Sequence, residues 1–379
     1  MKKVGIITFH AAHNYGSMLQ AYALQQTVLR LGYDCEIINF RTERQKEMYR
    51  LPWQRGKFLG KIICGMMYLP IMRQLKHKQQ LFESFLNNEF RLSEMEYNSS
   101  DELKTAGLKY DCYISGSDQI WNTSCWDFNN AYFLDFVNKK RRIAYAPSLG
   151  PNPSLPKDKK TLESIKIALN NYDYISVREG NSAIKIKELT GMDVPVVLDP
   201  TLLLDSSEWL TKAGDVPIVK GDYVFLYSPW PNAETWQYAS QLAKWCKSKV
   251  IVSNINNGFR NNTHLLDPNL HPYLGIGPNE FLNLCRHAKY VVGQSFHLAV
   301  FCIQLRKPFV IVGGAEDSRV TNLLSLTGLM SRNISYNEDI LIKFENAVID
   351  FDNAQQALIN ERNKCLKWLN NCLSCNDIR

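Results

Sequence analysis

Two α/β domains, each a parallel sheet wrapped by helices, are the fold class that the sequence predicts. Three observations predict it. Short apolar runs alternate with stretches of helical spacing along nearly the whole chain. The length of 379 residues, with 45% hydrophobic and 21% charged residues, suits two ordinary globular domains and excludes a disordered, collagenous or coiled-coil chain. The alternation also restarts after 203–222, where acidic, Gly and Pro residues collect.

Val4–Phe9 is a continuous apolar run, as a strand buried on both faces requires. Ser17–Leu31 carries apolar residues at helical spacing, and Gly32 stands where a left-handed cap is usual. Strands are then expected at Cys35–Phe40, Tyr110–Ser115, Arg142–Ala146, Tyr174–Val177 and Pro195–Leu198. Helices are expected at 79–90, Lys159–Asn170 and Asn181–Leu189. The second series reads strand Tyr223–Tyr227, helix Glu234–Cys246, strand Lys249–Ser253, helix Pro278–His287 and strand Tyr290–Val292. Helix His297–Leu305, strand Phe309–Val312 and helices Arg319–Leu326 and Ala357–Leu373 complete it. The expected architecture is two Rossmann-like domains facing each other across a cleft: residues 1–205, 206–345, and a helical tail 346–379. The first domain would carry a basic helical insertion, 41–95, and in such folds ligands sit at the carboxyl ends of the strands.

The net charge of +7 is concentrated. Residues 41–80 hold ten Lys/Arg against Glu43 and Glu47, and the rest of the chain is nearly neutral. Within this stretch, 58–72 is apolar but too short to span a bilayer. One reading is a peripheral membrane patch facing anionic lipids; the other is a helical hairpin packed on the core. No helix-turn-helix, zinc-finger or RNA-recognition signature is present, so nucleic acid is not an expected partner. Met1-Lys2-Lys3 runs straight into Val4-Gly5-Ile6-Ile7, which reads as a cytoplasmic start. The ten cysteines are scattered. Only Cys365, Cys372 and Cys375 approach a ligand pattern, with no His nearby, so no metal is expected.

Four segments at predicted strand ends carry candidate chemistry. The loop His10–Ser17, with Asn14, Tyr15 and Gly16, opens the first helix, where free N–H groups can meet an anion or hydroxyl. It lacks GxGxxG, so no dinucleotide is indicated. Gly116-Ser117-Asp118-Gln119-Ile120-Trp121-Asn122 offers a carboxylate and an amide for hydroxyls and a Trp for a pyranose face, or else a helix cap with a core Trp. Arg178, ending a strand, can fork onto a carboxylate or phosphate, or pair with Glu179 or Asp199. Ser295-Phe296-His297 places an imidazole at the positive end of a helix, where it serves as acid–base or is simply structural. Arg319 opens the next helix.

Taken in order, these segments resemble the polysaccharide pyruvyl transferase family. The resemblance rests on Asn14–Leu24, Gly116–Asn122, Ser176-Val177-Arg178-Glu179, Leu198-Asp199-Pro200-Thr201, Ser295-Phe296-His297 and Arg319–Leu329. It implies a glycosyltransferase-B-like pair of domains. It also implies transfer of pyruvate from phosphoenolpyruvate onto two hydroxyls of a sugar in a surface polysaccharide or its lipid-linked precursor, giving a cyclic ketal and phosphate. It makes phosphoenolpyruvate a donor substrate, with no other cofactor; the basic, apolar 41–80 segment in turn motivates a lipid-linked acceptor and a cytoplasmic place at the inner face of the membrane. By resemblance His297 is the catalytic acid–base, and Arg178, Arg319, Ser295 and Phe296 lie on the donor. Asn14, Tyr15, Gly16, Ser117, Asp118, Gln119 and Trp121 fall on the acceptor side. The chain departs from the pattern at Leu298, where many members have Gly, and at 295–296, where some carry Arg-Leu. Two other classes stay open: a nucleotide-sugar glycosyltransferase, for which Gly313-Gly314-Ala315-Glu316 is a partial phosphate-loop candidate, and a non-catalytic glycan-binding protein.

Overall fold

A computed structural model describes residues 1–375 except 152, 154, 155, 157, 231, 255–267, 346 and 347. The chain divides into two compact units: Met1–Arg50 with Glu83–Leu204 and Glu361–Arg379, and Leu51–Phe82 with Asp205–Asn360.

The first unit is built on strands β1 (Lys3–Ile7), β2 (Asp34–Phe40), β3 (Leu92–Tyr97), β4 (Cys112–Ser115), β5 (Arg141–Ala144) and β6 (Tyr174–Ile175). They pair in parallel in the order β3-β2-β1-β4-β5-β6. This is the Rossmann order, and the direction of winding reverses between β1 and β4. Both central strands are buried, as apolar runs without alternation demand. A Cβ at Gly5 would lie 2.6 Å from the Tyr110 ring, which explains a glycine in mid-strand. The helix Tyr15–Arg30 follows β1, capped by the Asn14 side chain accepting from the Ser17 N–H, and almost all of its residues are buried.

The second unit repeats the plan with β7 (Tyr223–Tyr227), β8 (Lys249–Val252), β9 (Leu270–Pro272), β10 (Tyr290–Gly293), β11 (Phe309–Val312) and β12 (Asn333–Ile334). The order is β12-β11-β10-β7-β8-β9, again parallel, with the reversal between β7 and β10. On one face Val224, Leu226, Val250 and Val292 pack with Trp236, Ala239 and Leu242 of the helix Ala233–Trp245. On the other, Phe225, Phe281, Phe301 and Trp209 form an edge-to-face chain with centroids 5.1–6.2 Å apart.

Three differences from the sequence reading have physical causes. Pro195–Leu198 makes only an isolated bridge, Val196 to Val177, because the sheet has narrowed to the two residues of β6. The strands β3, β9 and β12 were not anticipated; all are sheet edges, short or polar. The basic segment does not stay with the first unit, since 51–82 clusters with the second. It is tied there by the Leu274 N–H donating to Gln74 Oε1 at 2.9 Å, and Gly277 admits the helix Met72–Glu89, a Cβ there standing 2.7 Å from Leu81 Cβ. The end of the C-terminal helix, Phe351–Ser374, returns to the first unit, where Leu198 N–H donates to Cys365 Sγ and Trp368 packs near Tyr145. Cys365 and Cys372 are buried in that packing as small apolar groups.

In the first unit Glu83 accepts from His13 Nε2 at 2.9 Å and from Arg41 at 3.0 Å. Burial works against the carboxylate, but the hydrogen bonds and charges of His13 and Arg41 outweigh it and hold the pKa at about 2. A depressed carboxylate stabilises the fold above its unfolded pKa, and that stabilisation is lost as pH falls through the folded value. Melting temperature is therefore expected to drop between about pH 4.5 and 2, and to drop less steeply in Glu83→Gln, as thermal scans across that window would record.

Candidate functional site

The candidate residues follow the carboxyl ends of the strands, where open α/β sheets bind ligands, and 14–16, 117–121 and 295–297 do so where a sheet's winding reverses.

In the first unit the loops after β1 and β4 are knitted together. Ser17 Oγ donates to Asp118 Oδ2 at 2.6 Å, and Gln20 bridges them by donating to Thr8 Oγ1 and accepting from the Ser117 N–H at 3.2 Å. Asp118 sits at φ 72°, and Gly116 at φ 139° passes so close to the Tyr145 carbonyl that a Cβ would lie 2.0 Å from it. Arg178 joins this cluster. Its Nη1 donates to Asp199 Oδ2 at 2.8 Å, with Asp118 at 3.6 Å and Glu179 at 3.7 Å. Burial opposes the guanidinium charge, but Asp199, Asp118 and Glu179 more than offset it and raise its pKa. Asp199 also caps the next turn through the Thr201 N–H and hydroxyl, and Ser182 donates to Glu179. Nearby, burial pushes the Asp127 carboxyl up, aided by the charge of Asp118. His10 lies under the loop between the Thr8 carbonyl and Asn39, and burial holds it below the usual imidazole range.

This arrangement favours one of the two readings given to Arg178 and to Trp121. Arg178 has a side chain only 2% exposed and takes the pairing that was its other reading, with Asp199, Asp118 and Glu179 around it, and so ties the loops together. Trp121 is fully buried, stacked on Phe133 at 5.0 Å with Nε1–H donating to the Tyr132 carbonyl at 3.0 Å, so it presents no face to a sugar. The exposed ring of that loop is Trp126, with the Arg44 guanidinium 4.3 Å from its centroid. Trp121→Ala is expected to destabilise by about 3–5 kcal/mol and Trp126→Ala by under about 0.5 kcal/mol, measured by denaturant unfolding. Tyr15 is buried and Asn14 is engaged as the helix cap. Gln119 is half-buried and accepts from Asn122 at 2.9 Å.

In the second unit the helix Phe296–Gln304 starts directly after β10. Gly293 is required there: a Cβ would stand 1.9 Å from the Tyr227 carbonyl oxygen. Leu298 N–H donates to Ser295 Oγ at 3.4 Å, so Ser295 acts as helix cap. Phe296 is buried, with its ring edge-on to His297 at 5.1 Å. His297 is partly buried in the first turn of the helix. The same sheet edge carries a polar chain that the sequence did not single out. Ser228 donates to Gln294 Oε1 at 2.8 Å, and Gln294 and Asn232 each donate to Tyr336 Oη at 3.2 Å. Its only sequence signal is that each member follows a strand or precedes a helix on the same sheet edge.

Arg319 is paired in the same way as Arg178. Nε and Nη2 donate to the two oxygens of Asp317 at 2.8 and 2.5 Å, and Asp317 also caps this helix, so the fork is closed by its own neighbour. Gly313 turns at φ 65° against the Tyr336 hydroxyl, and Glu316 points to solvent. Among the described residues no group of His, Cys, Asp and Glu is arranged to hold a metal ion.

Solved structures share this two-unit build. A UDP-GlcNAc 2-epimerase from Neisseria meningitidis bound to UDP-GlcNAc aligns with TM-score 0.55 and 12% identity, covering 98% of this chain and 99% of that one. The UDP-N-acetylglucosamine 2-epimerase from Rickettsia bellii aligns with TM-score 0.54 and 10% identity over 98% and 96%. At such identities the likeness is one of fold: two Rossmann-like domains of glycosyltransferase-B-like type. No curated protein matches the chain. The profile of the polysaccharide pyruvyl transferases, by contrast, matches residues 14–315, from the cap of the first helix through the loop after β11. That span takes in both switch points, and by it the chain belongs to the polysaccharide pyruvyl transferase family.

Proposed function

We propose that the protein transfers pyruvate from phosphoenolpyruvate to two hydroxyls of a sugar, in a surface polysaccharide or its lipid-linked precursor, with His297 as general acid–base. Family membership carries this reading. The position of His297 in the first turn of a helix, at the switch point of the second sheet, supports it.

The balance is simple. One sugar hydroxyl adds across the donor double bond: its oxygen bonds C2 and a proton goes to the methylene, which becomes methyl. A second hydroxyl then attacks C2, the C–O bond to phosphate breaks, and its proton leaves with the phosphate. A group near neutral pKa that can give and take protons serves both steps, and an imidazole is the side chain suited to it. The positive end of the helix Phe296–Gln304 favours an anion beside His297. The acidic cluster of the first unit repels a donor anion and suits hydroxyls, which Asp118 can orient. Balance requires no cofactor beyond the donor substrate.

The test is thermal melting with phosphoenolpyruvate and, separately, with UDP-sugars. A ligand at a hundred times its Kd adds about 2.7 kcal/mol, a shift of several degrees for domains of this size. A shift with phosphoenolpyruvate alone supports the reading. A shift with nucleotide sugars alone overturns it in favour of a glycosyltransferase.

A further inference from the structure

Within the second unit, segment 51–82 carries Arg55, Lys57, Lys61, Arg73, Lys76 and Lys78 and no acidic residue. Its helix Phe58–Tyr68 has no buried residue. One side rests on a single turn: Gly65 lies against Trp53 and the Tyr68 ring packs 6.5 Å from it. At 100° per residue the positions 58, 59, 62, 63, 66 and 67 fall in one half of the helix surface, opposite that contact. Every one of them is apolar and exposed, Phe58 at 78% and Leu59 at 69%. Apolar surface this continuous marks an interaction site.

The face continues into a recess. Leu69, 68% exposed, follows the helix and also lines an open cavity of about 910 Å³. Arg73, Lys76, His77 and Tyr273 line the same cavity, and the three basic side chains are exposed. An apolar ridge thus runs into a cationic hollow.

We infer that this surface docks on an anionic bilayer, the ridge entering the acyl boundary and Arg73, Lys76 and His77 receiving lipid phosphates. Charge decides the occupant. A second copy of the same surface would set Arg73 and Lys76 against their own copies, with no acidic residue of 51–82 to answer them, and an uncharged partner would leave them unanswered. A membrane of anionic lipids answers both halves. The helix is 11 residues long, and no described helix is long and apolar enough to cross a membrane, so the contact lies on the surface.

Full-length protein is sedimented with vesicles of phosphatidylcholine alone and with added phosphatidylglycerol, at low and high salt. Binding to the anionic vesicles, weak on neutral ones and released by salt, is expected. Each cation removed near the surface weakens binding about fivefold, so Arg73→Gln with Lys76→Gln is expected to lose roughly 25-fold. Leu59→Ser with Met66→Ser is expected to lose binding while the melting temperature holds. No binding to anionic vesicles at low salt, equal binding to neutral ones, or variants that bind like wild type would overturn the inference. So would a concentration-dependent dimer abolished by Leu59→Ser with Met66→Ser in protein that ignores vesicles. Neither donor nor acceptor is present, so this test stands or falls apart from the pyruvyl reading.

Discussion

His297→Ala is expected to cut turnover by about 10²–10⁴-fold while the protein melts as the wild type does. The imidazole is partly buried in the first turn of its helix, and the cap that starts the helix is Ser295, not His297. Removing the ring therefore leaves the element intact. The loss should appear in kcat, with KM for phosphoenolpyruvate little changed, because proton transfer is needed only on the way to the transition state. Steady-state kinetics beside a melting curve would check it. A variant as active as wild type would remove His297 from the chemistry.

Arg178→Ala should act in the opposite way, on stability first. Asp118, Glu179 and Asp199 would be left buried without their shared guanidinium, and breaking a buried ion network from one side destabilises by about 3–5 kcal/mol. The remaining carboxyls would then be pushed above their ordinary values. A raised pKa makes the protonated form the one the fold tolerates, so the variant should gain stability as pH falls towards 5 and lose it as pH rises. Arg178→Lys keeps the charge but loses the fork onto Asp199, and should recover only part of the deficit. Urea unfolding at two pH values would decide. A variant that unfolds like wild type but has a raised KM for phosphoenolpyruvate would restore Arg178 to the donor.

The strands read correctly from sequence are those whose burial leaves no alternative: Tyr223–Tyr227 and Phe309–Val312 agree to the residue. The strands missed are edges. β3 has the sequence LSEMEY, with only Ser93 fully buried, so its pattern resembles a loop, and β9 and β12 span three and two residues. Site positions followed from strand ends, since any side chain just beyond β10 or β4 must reach the carboxyl edge. Side-chain direction did not follow. A carboxylate, an amide and a Trp in succession suggest a sugar site, yet nothing in the spacing says that Trp121 turns inward to Phe133 while Trp126 turns out. For Arg178 the sequence offered both a donor fork and a pair with Glu179 or Asp199 and could not choose, and for Arg319 it gave no sign of Asp317, because those contacts depend on how each loop closes. The allegiance of 51–82 was hidden for the same reason: it is decided by Gln74 reaching Leu274, two hundred positions away.

The central claim is that phosphoenolpyruvate is consumed by transfer to a sugar diol. The most direct test incubates the protein with phosphoenolpyruvate and a panel of short oligosaccharides, measuring free phosphate and the methyl proton signal of the product. The account predicts phosphate release only with an acceptor, matched one to one by a new ketal methyl singlet, and neither with His297→Ala. Phosphate released without acceptor and without a ketal, or no turnover of phosphoenolpyruvate alongside sugar transfer from a nucleotide sugar, would contradict it.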